Sequence, residues 1–190
     1  MLDPASEIAR LRDMLPASWR MNTTIKNSLD GRTVISSTMP QPWRNQMKVM
    51  INWNLWEQLD TVERDLLFLR EVSWRQNSTW FKLGAYQSIV VASALGAIIQ
   101  GTQGDVVGTA LALLLGGTAG LQVWRQCRSA EIQLEADIVA IQAAERRGYT
   151  EITAAKALLS GMTQVAQLEG RKQLSLEELL RRDQLRSIVG

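Results

Sequence analysis

The chain has 190 residues and a net charge of +2, from 21 Lys and Arg against 19 Asp and Glu. A charge balance this even excludes a nucleic-acid binder that relies on a basic patch. The sequence has no histidine and a single cysteine, which excludes Ser-His-Asp and Cys-His catalysis, His-ligated metal sites and an intramolecular disulfide. Carboxylate, Lys and Tyr chemistry stays open, and the length fits one domain or a small domain with membrane spans.

Residues 1–82 are predicted to form a cytoplasmic N-terminal section. It opens with a short helix, because Asp3 suits the N-cap and Pro4 the first helical position. The stretches MNTTIKN and RTVISST flank a turn that contains Asp-Gly, and MKVMIN follows, which predicts a small antiparallel sheet of about three strands. Asp60 with Glu63 three residues later predicts a capped helix over residues 61–78.

Residues 83–124 carry one charge, Asp105, between two uncharged runs. Each run is close to the roughly 20 residues needed to cross the hydrocarbon core of a bilayer, and the turn at 101–105 separates them. The pattern therefore predicts a transmembrane helical hairpin. The alternative is a hairpin buried in a large soluble helical core, for which the rest of the chain offers too little cover.

The flanks of these runs agree with a membrane. Trp80, Lys82, Trp124 and Arg125 are predicted at the membrane interface, and the basic flanks place both termini in the cytoplasm. Small residues recur at every fourth place, which predicts that the two helices pack closely along those ridges. The ridges are Gly84, Ser88, Ala92 and Gly96 on the first helix, and Gly108, Ala112, Gly116 and Gly120 on the second.

Residues 125–190 are predicted to form a cytoplasmic section of three helices that packs on the N-terminal section. Gly148 fits the end of the first helix, and Ser175 opens the last with the capping box SLEE. Three basic pairs in this section are interleaved with acids, which favours solvated helix faces over a lipid headgroup site. They are Arg146-Arg147, Arg171-Lys172 and Arg181-Arg182.

The helix LLFLREVSWRQ, the later Ala136-Asp137 and the run RGYT stand in an order that resembles the integral-membrane gluzincin peptidases of the HtpX and prenyl-protein-protease type. In that family a helix carries H-E-x-x-H, and a helix after the hairpin carries E-x-x-A-D. The resemblance places the general-base position on Glu71. It also implies that Glu71 and Asp137 are relics of a catalytic site.

The same resemblance places the three metal-ligand positions on Arg70, Trp74 and Gln133. Arginine keeps its proton, tryptophan offers only an N–H donor, and a neutral amide is a poor zinc ligand. The resemblance thus implies a zincin-like layout with no metal and no cofactor. On the residues alone, Glu71 suits an ion pair with an arginine such as Arg75, and Asp137 is expected to accept hydrogen bonds from an arginine or from the Glu71 helix.

A second resemblance is to an uncharacterised family of small cyanobacterial membrane proteins with a two-helix hairpin, a domain of unknown function. It rests on LLF at 66–68, Glu71, Gln76, the tripeptide EAD at 135–137 and GYT at 148–150. It implies an inner or thylakoid membrane location. It implies no known chemistry.

Together these patterns predict a mainly α fold with a small antiparallel sheet, degenerate zincin-like, and a transmembrane hairpin. The expected partners are the lipid bilayer and other membrane proteins, with no nucleic acid and no metal. The predicted function is that of a non-enzymatic scaffold or assembly factor for membrane protein complexes, photosynthetic ones included. Two alternatives stay open: an enzyme that uses Glu71, Glu135 or Asp137 as a carboxylate pair, and a simple membrane tether for a soluble partner.

Overall fold

The computed structural model describes residues 2–28, 30–38, 46–77, 85–127 and 130–190; within the helices, the side chains of residues 75–77, 85–88 and 122–127 are outside this description. The chain forms two compact units. One consists of Met1–Ser78 and Ala130–Gly190, and the other of Thr79–Ser129. The helices are α1 (Pro4–Met14), α2 (Ala17–Arg20), α3 (Trp53–Trp56), α4 (Thr61–Asn77), α5 (Ala85–Thr102), α6 (Val106–Cys127), α7 (Ala130–Glu145), α8 (Glu151–Leu168) and α9 (Leu176–Val189).

Helix starts in the larger unit follow their local capping residues. Asp3 accepts hydrogen bonds from the backbone N–H groups of Ala5 and Ser6 at the start of α1. Ser175 and Glu178 form a reciprocal capping box at the start of α9. These bonds satisfy N–H groups that have no partner within a helix, and they confirm the starts predicted from the sequence.

The three strands form one mixed sheet in the order β1-β3-β2. Strand β1 (Thr23–Asn27) pairs in parallel with β3 (Met47–Ile51), while β2 (Ile35–Ser37) pairs with β3 in antiparallel fashion. The prediction of an antiparallel sheet is therefore wrong for one of its two pairings. Strands β1 and β2, although they flank an Asp-Gly turn, do not pair with each other, because β3 lies between them.

The core of the larger unit lies between the sheet and helices α1, α4, α7, α8 and α9. Alternate residues of β3 are buried, as expected for a strand with one face on a core. Helix α4 contributes the run Leu66–Leu69 and Val72 to the core, and α8 and α9 contribute Leu158 and Leu185. The fully buried large side chains include Leu11, Ile51, Trp56, Leu66, Phe68, Leu69, Leu158 and Leu185.

The smaller unit is a helical hairpin of α5 and α6, joined by a turn in which Gly104 has a φ of 74°. Within the described part of the chain, no helix combines the length and the apolar character needed to cross a membrane. The predicted transmembrane hairpin is therefore wrong. The 18 residues of α5 are at the lower end of the lengths that cross a bilayer, and several of them are Gly, Ser, Ala or Gln.

Composition also works against α6, which is longer but contains Gly, Ala and Thr at many positions. These residues contribute little to the free energy of transfer into lipid, so a charge-free run is not the same as an apolar one. The predicted orientation, with both termini in the cytoplasm, depended on the span and has no support without it.

Small residues lie where α5 and α6 meet. A Cβ atom added to Gly116 would lie 3.2 Å from the Cβ of Ser93, and one added to Gly96 would lie 4.0 Å from the Cβ of Ala112. On the ridge predicted for α6, Ala112 is buried and the three glycines are partly exposed. On the ridge predicted for α5, Ala92 is exposed. Gly84 and the side chain of Ser88 lie outside the described residues.

Candidate functional site

A cluster of polar and charged side chains, which are buried or only slightly exposed, lies between helices α4, α7 and α9; we call it the buried cluster. Helix α4 contributes Arg70 and Glu71, α7 contributes Gln133 and Asp137, and α9 contributes Arg181. The spacing of Gln133 and Asp137 places both on the same face of α7, because residues four apart are neighbours on a helix surface. The site is therefore assembled from three helices far apart in the sequence.

Asp137 is the centre of this cluster. Its carboxylate accepts hydrogen bonds from Arg181, from Nε at 2.7 Å and from Nη2 at 2.9 Å. Arg70 Nε lies 3.5 Å from Oδ1 of the same carboxylate. Asp137 has no exposed surface, so this pair of guanidinium groups supplies the compensation that a buried carboxylate requires. The expectation that an arginine donates to Asp137 is confirmed.

Glu71 is paired through its own neighbour. It accepts hydrogen bonds from Arg70 Nη1 at 2.9 Å and from the Ser37 hydroxyl of β2 at 2.8 Å. Arg70 therefore contacts both Glu71 and Asp137. An arginine placed between two carboxylates pairs with both of them and favours a structural ion-pair network. The side chain of Arg75, the partner proposed from the sequence, lies outside the described residues.

Burial and nearby charges shift the pKa values of the two arginines in opposite directions. Burial lowers the pKa of Arg70, and the nearby positive charge of Arg181 lowers it further, against the opposing effects of Glu71 and Asp137. Burial also acts to lower the pKa of Arg181, but the bidentate pair with Asp137 outweighs it and raises that pKa. Two cations and two carboxylates then leave the cluster electrically balanced.

The three positions that the gluzincin resemblance assigns to metal ligands are near this cluster. Arg70 donates a hydrogen bond from Nη2 to the side-chain oxygen of Gln133, so two of the positions are in contact. Trp74 is one turn further along α4 and is buried. Among the described residues, no three Cys, Asp or Glu side chains come together in a way that could hold a metal ion.

A second polar network was not foreseen from the sequence. Glu7 is buried and accepts hydrogen bonds from Arg10, Arg64 and the indole N–H of Trp56, at 2.8 to 3.2 Å. Burial by itself raises the pKa of Glu7, but hydrogen bonds and charge from Arg10, with the charge of Arg64, lower it overall. The three-residue spacing of Glu7 and Arg10 was a local signal for their ion pair. No sequence signal indicated the contact of Glu7 with α4.

Asp65 extends this second network toward the C-terminal part of the chain. It pairs with Arg10 and accepts a hydrogen bond from the Tyr149 hydroxyl at 2.7 Å. Burial, followed by the hydrogen bond to Asp65, raises the pKa of Tyr149 to about 12. All of these groups are engaged in structural contacts, so this network ties α1, α4 and the start of α8 together.

The hairpin unit presents a different kind of surface. Large apolar side chains on both of its helices are exposed, mostly by more than half of their area. On α5 they are Ile89, Val91, Leu95, Ile98 and Ile99, and on α6 they are Val106, Val107, Leu111, Leu113, Leu114, Leu115 and Leu121. We call these twelve residues the apolar hairpin surface. Exposed apolar area of this extent is typical of a surface that another molecule covers.

The interface residues predicted from the sequence cannot be added to this surface. Trp80 and Lys82 lie outside the described residues. Trp124 and Arg125 belong to α6, but their side chains are outside the description. The apolar hairpin surface therefore rests on the residues between those flanks.

The model of a family of proteins of unknown function, DUF3318, matches residues 9–149 of the chain. The chain belongs to the DUF3318 family. The match includes α4, the hairpin and α7, and so covers every member of the buried cluster except Arg181. The expected likeness to an uncharacterised cyanobacterial family is thereby confirmed, whereas the likeness to gluzincin peptidases finds no support in this match.

This DUF3318 protein is also similar to a thylakoid membrane protein, slr1949, of a Synechocystis species. The two are 29% identical over 178 residues, which cover 88% of this chain and 81% of the relative. The relative's name states a membrane location and no chemistry. No solved structure matches the chain.

Proposed function

We propose that this DUF3318 protein is a non-catalytic, membrane-associated binding protein that serves as a scaffold or assembly factor for membrane protein complexes. The observation that carries the proposal is the apolar hairpin surface, on which Leu113, Leu114 and Leu115 are each at least 60% exposed. A surface of this kind is stable in contact with a second apolar surface. Apolar segments of membrane proteins provide one.

The location of the similar Synechocystis protein supports the membrane part of the proposal. Its name places it in the thylakoid membrane, and we extend that location to this chain. In a thylakoid membrane, photosynthetic complexes are then the expected partners. The proposal does not require a span, since a hairpin can bind a partner without crossing the bilayer.

The buried cluster supports the non-catalytic part. Arg70 fills the space between Glu71 and Asp137 and donates to Gln133. If the chain descends from a zinc peptidase, a guanidinium and an indole now stand where the ligands stood. Such a pseudoprotease keeps the layout of the helices and lacks the water-activating metal. Stoichiometric zinc in the purified full chain would contradict this part.

The binding part is tested by affinity purification from native membranes in mild detergent. The variant Leu95→Glu with Leu114→Glu adds two charges to the apolar hairpin surface. The control, Thr102→Glu with Gln103→Glu, adds the same charge to exposed positions at the hairpin turn. We expect defined membrane proteins to accompany the wild type and the control and to be lost from the Leu95/Leu114 variant.

Two results would contradict the proposal. Equal recovery of the same proteins by all three chains would show that the apolar hairpin surface is not the binding surface. Recovery of no membrane protein by the wild type would remove the scaffold role. A tether, in contrast, would keep its soluble partner after the hairpin is replaced by a flexible linker.

A further inference from the structure

An open groove lies between helices α8 and α9 of the larger unit, away from the buried cluster. Its volume is about 450 Å³, within the range of small-ligand sites. Seven polar side chains line most of it: Lys156, Ser160, Thr163, Gln164 and Gln167 from α8, and Arg182 and Arg186 from α9. Three of the seven are cations, and none is an acid.

The positive charge of the groove is largely uncompensated. Within the described ranges, no carboxylate lies close enough to Lys156 or Arg186 to form an ion pair. Arg182 has a long contact with Asp183, at 3.5 Å from Nε, and that carboxylate is 66% exposed. Glu63 of α4 is buried and accepts a hydrogen bond from Ser160, which also lines the groove.

Helix α9 separates the roles of its two adjacent arginines. Arg181 points into the core and holds Asp137, whereas Arg182 lines the groove. Successive residues on a helix lie about 100° apart, so one arginine of the pair serves each side. The prediction of a solvated helix face for this pair is wrong for Arg181, which is buried.

We propose that this groove binds a phosphate group. Arginine side chains present a planar fork of N–H donors that matches phosphate oxygens, and lysine adds a compact positive charge. The side-chain amides of Gln164 and Gln167 offer further donors around the same space. The phosphate belongs either to an anionic lipid headgroup or to a free phosphorylated molecule. The site is independent of the apolar hairpin surface and of the proposed function.

The test compares two double variants of the full chain that each remove one lysine and one arginine. The variant Lys156→Gln with Arg186→Gln changes the groove. The control, Arg146→Gln with Lys172→Gln, changes two exposed cations elsewhere. All four side chains are exposed, so thermal unfolding should be unaffected in both. Binding is measured by vesicle sedimentation, with phosphatidylcholine alone or mixed with phosphatidylglycerol, and by titration with glycerol 3-phosphate.

We expect the groove variant to lose on the order of tenfold in affinity, while the control changes less than about twofold. Loss confined to phosphatidylglycerol vesicles supports a lipid headgroup as the ligand. Loss that extends to glycerol 3-phosphate supports a free phosphorylated molecule. Equal losses of affinity in the two double variants would show that the chain binds anions through its general surface charge, which would contradict a phosphate site in the groove. So would a wild-type chain that binds neither probe.

Discussion

Arg181 and Asp137 form a bidentate ion pair that joins α9 to α7 inside the core, with both bonds shorter than 3.0 Å. Neither residue lies within 40 positions of the other in the sequence. The pair fixes the last helix of the chain against the helix that follows the hairpin. It also holds the carboxylate that Arg70 approaches from α4.

Loss of this carboxylate should be severely destabilising. Asp137→Ala leaves Arg70 and Arg181 buried with too little negative charge, which should lower the free energy of unfolding by about 3–5 kcal/mol. The control is Asp183→Ala, which removes an exposed aspartate from the same region and should change it by less than about 0.5 kcal/mol. Chemical denaturation measures both. Similar losses in the two variants would contradict a buried, compensating role for Asp137.

The proposed zincin-like layout predicts that zinc ligands can be introduced at Arg70, Trp74 and Gln133. The triple variant Arg70→His, Trp74→His, Gln133→Glu should bind zinc stoichiometrically, because it places two imidazoles and a carboxylate at the positions implied by the resemblance. The control is Arg70→Gln, Trp74→Phe, Gln133→Glu, which introduces a single ligand. Metal analysis after dialysis measures the difference. A folded triple variant with no more zinc than the control would disprove the layout.

Contact between α4 and α8 depends on Gly161. A Cβ atom there would lie 3.1 Å from Leu67 Cδ1 and 3.2 Å from Leu67 Cγ. Gly161→Val should therefore lower the free energy of unfolding by about 1–3 kcal/mol. Gly117→Val, at a helical glycine with open space around it, should not destabilise, since valine favours helix slightly more than glycine. Denaturant midpoints for the pair settle whether packing at Gly161 is tight.

The Tyr149–Asp65 hydrogen bond should be visible in an alkaline titration. Because the folded-state pKa of Tyr149 is raised from 10.0 to about 12, the protonated phenol contributes stability below pH 10, and this is lost as the pH rises toward 12. In a Tyr86→Phe background Tyr149 is the sole tyrosine. Its tyrosinate absorbance should then have a midpoint near 12, and Asp65→Asn should lower that midpoint. A midpoint near 10 in the folded chain would exclude the buried bond.

Local features of the fold could be predicted from the sequence, and non-local ones could not. Asp3 and Ser175 mark helix starts because a capping residue acts within three positions of itself. The place of β3 between β1 and β2 depends on pairings between residues 24 positions apart for β1 and 12 to 16 positions apart for β2. No neighbouring residue of Met47 or Ile51 carries that information.

The hairpin shows the limit of a charge-based argument. Residues 83–104 lack charge, yet Gly, Ser, Ala and Gln dilute their apolar character, and no described helix meets the requirements of a span. The buried cluster shows a similar limit. An arginine partner for Asp137 followed from its place in the middle of a helix, but the choice of Arg181 depended on how α9 folds back onto α7.

The central claim is that the apolar hairpin surface binds a membrane protein. A photo-crosslinking residue introduced at Leu114 in α6, and separately at the exposed Gln142 in α7, tests it in native membranes. We predict discrete crosslinks from position 114 to one or a few membrane proteins, and none of these from position 142. Crosslinks to lipid alone from position 114, or the same proteins from both positions, would contradict the claim.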